Sequence, residues 1–262
     1  MKESLMKIIE GARLMNGKVA MITGAAFGIG KACAEIFSHQ GCKLILVDIN
    51  EEGIKQVCQE IITGGGEAVS INGDVTQEKD LDRIFQLGET YHGGMDILIN
   101  NAGGGLPTGF FSIHMEEWNR IIGLNLTSIF LMSQRAAVIF RKKGKGVIVN
   151  IASQAGRSVS PTAGCHYTAS KAGVLGFTRH TATILAPLNI RVNAVCPGIT
   201  NSERIVKRLQ EQGKLEEVSR SIPLGRIGDV YDIAGSCLFL ASDLSDYITG
   251  ASLDVNGGSL MM

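Results

Sequence analysis

Neither sign of charge is in excess in this sequence of 262 residues, which carries 25 Lys and Arg residues against 25 Asp and Glu residues. A balanced protein has no net field with which to attract nucleic acid or an anionic membrane. The opening residues also lack an uninterrupted apolar run, so we expect neither a signal peptide nor a membrane anchor. These absences favour a small molecule as the ligand.

Cysteine pairs with the spacing C-x-x-C are absent, and the cysteines are not densely spaced as in secreted disulfide-rich domains. We expect free thiols in a reducing, cytoplasmic location, at Cys33, Cys42, Cys58, Cys165, Cys196 and Cys237. The sequence also shows no His, Cys and Asp cluster with metal-ligand spacing, so no metal site is predicted.

Proline is scarce, with five residues in all, and no Pro- or Ser-rich linker divides the chain. Hydrophobic residues make up 45% of the sequence and charged residues 19%, which is enough apolar material for a substantial core. We therefore predict one domain over residues 17–262. Residues 1–16 are interpreted as a short amphipathic extension suited to packing on a neighbouring subunit.

Short apolar, β-branched runs recur along the chain, and each is followed by a longer helical pattern. The runs cover residues 19–23, 43–47, 68–71, 95–99, 146–150, 191–195 and 252–255. Strands that are apolar on both faces and alternate with helices indicate a parallel sheet covered on both sides. The predicted fold class is α/β, a single doubly wound parallel sheet of the Rossmann type with helices on both faces. The less regular residues 200–228 are predicted to form a substrate lid.

A glycine-rich turn follows the first predicted strand, in the sequence Thr23-Gly24-Ala-Ala-Phe-Gly28-Ile-Gly30, and a helical pattern follows the turn. Glycines let the backbone approach a pyrophosphate, and a helix N-terminus offers free N–H groups to the anion. The spacing G-x-x-x-G-x-G differs from the pattern G-x-G-x-x-G, and a plain tight turn is the alternative interpretation. The strand-turn-helix context favours the nucleotide site.

Asp48 closes the second predicted strand, where its carboxylate can accept hydrogen bonds from both hydroxyls of an adenosine ribose. The alternatives are a helix N-cap or a solvated acid at the strand end. Asp74-Val75 follows the third strand and Asn100-Asn101-Ala102-Gly103 follows the fourth. Both segments lie where an open parallel sheet presents its ligand crevice.

Tyr167 and Lys171 are four residues apart, which places a phenol and an ammonium on one face of a helix. A nearby cation favours the phenolate, so Tyr167 can exchange a proton with an alcohol or a carbonyl oxygen. Ser153 follows the fifth strand and can hold the reacting oxygen, with a helix N-cap as the alternative role. Asn125 lies in a helical pattern, where it can kink the helix or hold a water, or serve only as a structural amide.

The chain resembles the short-chain dehydrogenase/reductase family over essentially its whole length, from Gly17 to Gly258. The matching elements are Thr23-Gly24-x-x-x-Gly28-x-Gly30, Asp74, Asn100-Asn-Ala-Gly103, Asn125, Ser153, Tyr167-x-x-x-Lys171, Asn189-Ile-Arg-Val-Asn193 and Pro197-Gly198. The resemblance implies a catalytic tetrad of Asn125, Ser153, Tyr167 and Lys171. In this tetrad Tyr167 is the acid/base, Ser153 polarises the substrate oxygen, Lys171 lowers the Tyr167 pKa and binds the nicotinamide ribose, and Asn125 positions a water.

The resemblance also implies that residues 101–103 line the adenosine and ribose pocket and that residues 197–199 contact the nicotinamide. The hydroxyl that contacts the carboxamide is Thr200 or Ser202. The predicted cofactor is NAD, and the predicted binding residues are Gly24, Phe27, Gly28, Ile29, Gly30, Asp48, Ile49, Asp74, Val75, Asn101, Ala102, Gly103, Tyr167, Lys171, Pro197, Gly198, Ile199, Thr200 and Ser202. Ile184 departs from the family, because many relatives carry a Glu there.

The predicted substrate-binding residues are Ser153, Gln154, His166 and Tyr167, with His166 favoured as a pocket-wall or packing residue. Cys165 and Cys196 are interpreted as small buried apolar residues. The expected activity is the interconversion of a secondary alcohol and a ketone by a homotetramer, with Leu253 to Met262 near a subunit contact. The alternatives are a 3-oxoacyl-(acyl-carrier-protein) reductase and, more remotely, a regulatory protein that binds the cofactor without turnover. Steroids, cyclic alcohols, polyols and hydroxy acids all fit as substrates.

Overall fold

The computed structural model describes residues 13–91, 93–160 and 162–262. Its sheet contains seven strands, all parallel, in the order β3-β2-β1-β4-β5-β6-β7. The strands are β1 Val19–Thr23, β2 Lys43–Asp48, β3 Glu67–Asn72, β4 Ile97–Asn100, β5 Gly146–Ile151, β6 Ile190–Pro197 and β7 Ser252–Val255. The predicted doubly wound sheet is thus confirmed, with strand ends that differ from the predicted ones by up to two residues.

Helices cover both faces of the sheet. They are α1 Gly28–His39, α2 Glu51–Thr63, α3 Glu78–Thr90, α4 Met115–Ile122, α5 Ser128–Lys143, α6 Cys165–Leu185, α7 Glu203–Glu211, α8 Leu215–Ser221 and α9 Val230–Ala241. A π-helical segment, Gly123–Thr127, joins α4 to α5. The helical stretch Met115–Lys143 has the length and the hydropathy of a membrane span. Met132, Ala136 and Phe140 of this stretch are buried in the core against the sheet, as in the core helix of a globular protein.

Two apolar cores result from the alternation of side chains along each strand. In β1, Ala20 and Ile22 face one core with α1, α2 and α9, while Val19 and Met21 face the other core with α3, α5 and α6. Each fully buried aliphatic side chain of this kind stabilises the fold by about 1.5–3 kcal/mol. Helices cover both faces of every central strand, and this explains why the hydrophobic runs of the sequence are continuous.

The domain begins earlier than residue 17. Met15 is fully buried in the first core, and its N–H donates to the carbonyl O of Gln40 at 3.1 Å. The prediction that residues 1–16 form a separate extension is therefore wrong for its last residues. The rest of that predicted extension, residues 1–12, lies outside the described residues.

The chain reverses its winding direction between β1 and β4. β1 pairs with β2 on one side and with β4 on the other, so the helices that follow β1 and β4 lie on opposite faces of the sheet. Such a reversal opens a crevice beyond the carboxyl ends of the two strands. The polar and glycine-rich segments selected from the sequence meet at this edge.

Candidate active site

The glycine-rich turn after β1 is held by Asn101, which follows β4. The Asn101 side-chain Nδ2 donates to the carbonyl oxygens of Thr23 and Gly24 at 3.0 and 2.9 Å. Gly24 has a φ of +64°, a conformation that favours glycine, and a Cβ on Gly30 would collide with the carbonyl O of Gly24. The turn therefore needs glycine for close packing of α1 against the end of β1.

The N-terminus of α1 is suited to an anion. Its N-cap residue, Phe27, makes no side-chain capping hydrogen bond, and the first turn carries no acidic residue. Gly28 has a φ of +60°, and a Cβ placed there would meet nothing within 4 Å. The first N–H groups of a helix have no partner within the helix and lie at the positive end of the helix dipole. This arrangement fits a dinucleotide pyrophosphate.

Asp48 ends β2 as predicted, and it is 6% exposed. Its Oδ2 accepts the N–H of Ala26 at 3.0 Å, and its Oδ1 accepts the N–H of Asn50 at 2.8 Å. The N-cap of α2 is Asn50, whose side chain accepts from the N–H of Gly53, so neither alternative role describes Asp48. The two backbone bonds fix the carboxylate between the glycine turn and α2. Each carboxylate oxygen has a second lone pair, which leaves acceptors for two ribose hydroxyls beside the exposed Ile49.

Asp74 closes the turn into α3 rather than standing free. Its Oδ1 accepts from the N–H and the hydroxyl of Thr76, both at 2.8 Å, and its own N–H donates to Oδ2 of Asp80. Val75 is buried against the second core. The pair lies at the carboxyl end of β3, on the adenine side of the crevice that the resemblance predicts.

Thr23 is a site residue that the sequence reasoning did not select as a contact. Its hydroxyl oxygen accepts the N–H groups of Asn101 and Ala102, both at 3.0 Å, and the hydroxyl donates to the carbonyl O of Ile99. This fastens the Asn101 to Gly103 segment to the end of β1. Thr23 was visible in the sequence as part of the glycine motif, but its partner strand is about 76 residues away.

Tyr167 and Lys171 lie on one face of α6, as their spacing predicts. The Lys171 Nζ is 5.7 Å from the centroid of the Tyr167 ring and donates to the carbonyl O of Ile151 at 2.7 Å. The side chain of Lys171 is buried, and this burial lowers its pKa from 10.5 to about 8. The phenol therefore has an ammonium neighbour whose charge little water screens.

Ser153 lies at the carboxyl end of β5 and is only partly buried. Its hydroxyl oxygen accepts the N–H of Ala155 at 3.1 Å and so caps the short 3₁₀ turn at Gln154–Gly156. The N-cap interpretation is therefore correct, and it leaves the hydroxyl proton available for donation. Gln154 faces the C-terminal segment, where its Oε1 accepts from the hydroxyl of Ser259 at 2.8 Å.

Asn125 is buried in the π-helical segment, and its amide is bonded to the backbone on both sides. Its Oδ1 accepts the N–H of Gly104 at 3.0 Å, while Nδ2 donates to the carbonyl oxygens of Gly104 and Ile121 at 2.8 and 2.9 Å. A Cβ on Gly103 would stand 2.7 Å from this Oδ1 and 3.4 Å from the Lys171 Nζ. These contacts describe an amide that holds the loop after β4 close to Lys171, and the predicted positioning of a water by Asn125 stays a prediction.

Two predictions near α6 need correction. His166 is fully buried, with Nε2 2.8 Å from Oε1 of Glu117 and Nδ1 accepting the N–H of Tyr167, so it offers no surface to a substrate. It is the packing residue that was favoured and not the substrate-binding residue. Cys165 is exposed, whereas Cys196 is buried as expected. Cys165 is the first residue of α6, and it is exposed at this end of the helix.

The strand β6 ends at Pro197, and the chain turns there toward the lid. The N–H of Gly198 donates to the carbonyl O of Val255, and the Thr200 hydroxyl donates back to the carbonyl O of Gly198 at 3.2 Å. Ser202 is the N-cap residue of α7 but makes no side-chain capping bond. Both hydroxyls thus remain candidates for a carboxamide contact beside Ile199.

Residues 200–228 leave the sheet edge and return to the same point. Thr200 and Gly228 form an isolated β-bridge, and α7 and α8 lie between them. Asn201 connects the two ends of residues 200–228. Its Nδ2 donates to Oδ2 of Asp229, and its Oδ1 accepts the N–H of Val230, both at 3.1 Å. The predicted lid segment therefore contains two helices, and its two ends lie side by side beyond the end of β6.

In the part of the chain that the structure describes, no group of three His, Cys, Asp or Glu side chains is placed to hold a metal ion. The six cysteines are free thiols.

Known proteins resemble this chain along almost all of its length. The family model described as Enoyl-(Acyl carrier protein) reductase matches residues 24–259. The chain is 38% identical over 248 residues to a 2,5-dichloro-2,5-cyclohexadiene-1,4-diol dehydrogenase of Sphingobium indicum, covering 94% of this chain and 98% of that protein. It is 36% identical over 248 residues to a 3-oxoacyl-(acyl-carrier-protein) reductase of Vibrio cholerae, covering 95% and 99%. The crystal structure of a short-chain type dehydrogenase/reductase from Mycobacterium marinum matches with a TM-score of 0.89 at 35% identity, covering 95% and 97% of the two chains.

Proposed function

Because this chain belongs to the short-chain dehydrogenase/reductase family of oxidoreductases, we propose that it interconverts a secondary alcohol and a ketone with NAD as the cofactor. The observation that carries this proposal is the pairing of Tyr167 with the buried ammonium of Lys171, which is bonded to the carbonyl O of Ile151, two residues before the partly exposed Ser153. A bound nicotinamide supplies or accepts the hydride. The protein side chains then have to hold the reacting oxygen and move one proton.

Tyr167 is the proton-transferring group in this proposal. In the direction of ketone reduction its phenol donates a proton to the carbonyl oxygen, and in alcohol oxidation the phenolate accepts the hydroxyl proton. Lys171 favours the phenolate through its charge. Ser153 donates a hydrogen bond to the reacting oxygen while its own oxygen stays bonded to Ala155.

NAD is proposed over NADP because of Asp48. The carboxylate is fixed by two backbone N–H groups and can accept hydrogen bonds from ribose hydroxyls. A 2′-phosphate in the same place would put an anion against this fixed negative charge. The neighbouring residues Ala26, Phe27, Ile49 and Asn50 offer no cation to compensate.

The substrate class is supported only at the level of a secondary alcohol or its ketone. The Sphingobium relative is named for a cyclic diol, which favours a cyclic alcohol here. The Vibrio relative is named for a carrier-protein thioester, which keeps 3-oxoacyl-(acyl-carrier-protein) reduction as the second candidate. This chain has no excess of positive charge to attract an acidic carrier protein, so we rank this candidate second. A cytoplasmic location is proposed with either activity, supported by the free thiols.

The test is an assay of cofactor reduction and oxidation with a small panel. The panel contains cyclohexanol, a 3-hydroxysteroid, a polyol and 3-hydroxybutyrate, together with the corresponding ketones and a 3-oxoacyl carrier-protein substrate. Turnover with one alcohol and NAD supports the proposal, whereas turnover of the carrier-protein substrate alone supports the second candidate. No turnover with any compound, despite cofactor binding, would favour the regulatory alternative.

Tyr167→Phe tests the assignment of the proton donor within the same panel. It removes the transferable proton and little else, so we expect kcat to fall by roughly 10²–10⁴-fold with cofactor binding retained. Tyr91→Phe is a matched control, because Tyr91 is exposed at the end of α3, far along the chain from the site. Near-normal turnover of the Tyr167 variant would refute the assignment.

A further inference from the structure

Gly105 lies in the loop after β4, directly against the ring of the proposed proton donor. A Cβ on Gly105 would stand 2.9 Å from Cδ2 and 3.0 Å from Cγ of Tyr167. It would also stand 2.6 Å from the Cβ of Ala163, which lies just before α6. Non-bonded carbon atoms pack at about 3.5–4.0 Å. No side chain therefore fits between this loop and the Tyr167 ring.

The need for glycine at position 105 comes from close approach and not from the backbone conformation. Gly24 and Gly28 have a positive φ, whereas Gly105 does not. An alanine at position 105 would therefore not be strained by a left-handed backbone. Its methyl group would meet the Tyr167 ring instead, so the effect of such a substitution reports on that contact.

Hydrogen bonds fix the loop on both sides of this glycine. The Asn125 amide binds the N–H and the carbonyl O of Gly104, at 3.0 and 2.8 Å. The carbonyl O of Leu106 accepts the N–H of Gly164 at 2.8 Å. The Tyr167 ring, in contrast, can turn about its side-chain torsions. We therefore expect a group added between these bonds to displace the ring rather than the loop.

We propose that Gly105 is a positioning residue, whose main chain holds the Tyr167 ring where its phenol exchanges the proton. This inference rests on the proposed function, in which Tyr167 is the acid/base. With a methyl group on Gly105, the ring would have to move by about 0.5–1 Å to regain a normal packing distance. A misplacement of a reacting group by about 1 Å can lower the rate by roughly 10²-fold. A side chain at position 105 therefore lowers kcat.

Gly105→Ala tests the contact. We expect kcat for the most active ketone of the panel to fall about tenfold to hundredfold. The Kd for NADH should change little, because the nearest neighbours of the added methyl are Ala163 and Tyr167 and not Asp48 or the glycine-rich turn. A variant with the unmodified kcat would overturn the proposal. So would one that loses NADH binding together with activity, because Gly105 would then support the fold of the crevice and not the position of the ring.

Gly109→Ala is the matched control in the same loop. Gly109 has a φ of −65° and a ψ of 148°, a conformation that alanine adopts without strain. A Cβ placed there would meet nothing within 4 Å. We expect this variant to keep the unmodified kcat and Kd for NADH. Equal falls in kcat for the two variants would contradict the proposal, because the loop and not its contact with Tyr167 would then determine the rate.

Ala163→Gly completes a double-mutant cycle with Gly105→Ala. It removes the methyl group that lies 2.6 Å from the added Cβ, so residue 105 can move away from the Tyr167 ring. Substitutions of residues in contact have non-additive effects. We therefore expect Gly105→Ala to lower kcat less in the Ala163→Gly protein than in the unmodified protein. The same fold-change in both proteins would contradict the proposed packing.

Carbon NMR of the protein with ¹³C-labelled tyrosine rings provides a readout that needs no turnover. The sequence has four tyrosines, and the Tyr167 signals are those lost in Tyr167→Phe. We expect these signals to shift in Gly105→Ala, to stay in place in Gly109→Ala, and to move back when Ala163→Gly is added to Gly105→Ala. Unshifted signals in Gly105→Ala would overturn the positioning contact. The expected shifts in a protein that is inactive with the whole panel would support the contact and contradict the proposed function instead.

Discussion

Lys171 is buried, and the loss of solvation there disfavours the charged form of its side chain. Its Nζ has the carbonyl O of Ile151 as a hydrogen-bond acceptor at 2.7 Å, and burial lowers its pKa from 10.5 to about 8. A lowered lysine pKa means that the folded protein binds fewer protons than the unfolded chain between about pH 8 and 10.5. Below about pH 8 the buried charge of Lys171 therefore lowers the free energy of unfolding. As the pH rises from about 8 to 10.5, the free energy of unfolding increases, because Lys171 is then neutral in the folded protein.

Lys171→Met tests this linkage. We expect the free energy of unfolding of the unmodified protein to gain up to about 1.4 kcal/mol per pH unit between pH 8 and 10.5 relative to the variant. The measurement is denaturant unfolding of both proteins at fixed concentration and several pH values. Buried thiols act in the opposite direction, since burial raises the pKa of Cys42 to about 12, but they titrate in both proteins and cancel in the difference. A difference that does not change with pH would contradict a depressed Lys171 pKa.

Asp48 supports a second prediction at the scale of one residue. Asp48→Asn keeps an acceptor for one of the two N–H groups, from Ala26 or Asn50, and removes the charge. Charge-assisted bonds to the ribose are worth roughly 1.5–3 kcal/mol, so we expect the preference for NAD over NADP in kcat/KM to narrow by about tenfold to hundredfold.

We expect this smaller preference to result mainly from weaker binding of NAD to Asp48→Asn. A smaller contribution comes from tighter binding of NADP, because the variant no longer repels the 2′-phosphate. Asp82→Asn on α3 is the control, because Asp82 pairs with Arg135 at the surface. Equal kcat/KM for the two cofactors in the unmodified enzyme would contradict the role of Asp48 and would favour the 3-oxoacyl-(acyl-carrier-protein) reductase activity.

At the scale of elements, hydrogen bonds connect the two ends of the proposed lid, residues 200–228. Asn201 contributes two of them, to Asp229 and to the N–H of Val230. We expect Asn201→Ala to raise KM for the alcohol several-fold, since each hydrogen bond is worth about 0.5–1.5 kcal/mol, and to leave the Kd for NAD unchanged. Faster proteolytic cleavage within residues 200–228 would accompany the change.

Arg220→Ala is the matched control for the lid. Arg220 pairs only with Glu216 of the same helix, on the exposed side of α8, and surface pairs of this kind contribute little. Equal effects of the two variants on KM would mean that the base of the lid has no special role in substrate binding.

The elements themselves were largely predictable, and the contacts between them were not. Strands were found from the sequence because central parallel strands are apolar on both faces, as at Ala20 and Met21 in β1. Tyr167 and Lys171 were paired because helical spacing alone brings them together.

Contacts across the fold have no such local signal. Glu117 meets His166 from 49 residues away, and Asn125 reaches back 21 residues to the backbone of Gly104. The sequence therefore predicted a polar role for Asn125 but not its partner, and it gave no sign of Glu117. Met15 was assigned to an extension because Leu14 and Met15, the apolar residues before the first strand, are too few to show a periodicity.

At the scale of the whole molecule, we propose a homotetramer in which α5 and α6 and the C-terminal edge form subunit contacts. Phe130 and Val138 of α5 and Ile184 of α6 are exposed apolar residues, and Leu253, Met261 and Met262 are exposed at the C-terminus. Exposed apolar residues that lie together are typical of an interface, and we expect these residues to form such a patch.

Phe130→Asp tests the proposed assembly. Phe130 is 44% exposed and contacts Phe177 of α6 edge to face, so a charge there would be buried unpaired in a helix-to-helix interface. We expect sedimentation velocity at micromolar concentration to show a tetramer for the unmodified protein and smaller species for the variant. Ile62→Asp is the control, because Ile62 is similarly exposed on α2, away from the proposed contacts. A monomeric unmodified protein would contradict the proposal.

The pairing of the two ends of the proposed lid has a consequence for how the substrate range of such an enzyme can change during evolution. Thr200 and Gly228 form a β-bridge, so residues 200–228 begin and end at nearly the same place. Changing the length of a closed loop alters its closure entropy little, by about 0.6 kcal/mol for a doubling. We therefore expect that a different pair of helices grafted between these two residues would leave β6 in place, provided that the contacts of Arg208 with Thr162 and of Leu224 with Gly257 are replaced. On the proposal that residues 200–228 form the substrate lid, the reaction and the choice of substrate belong to separable parts of the molecule.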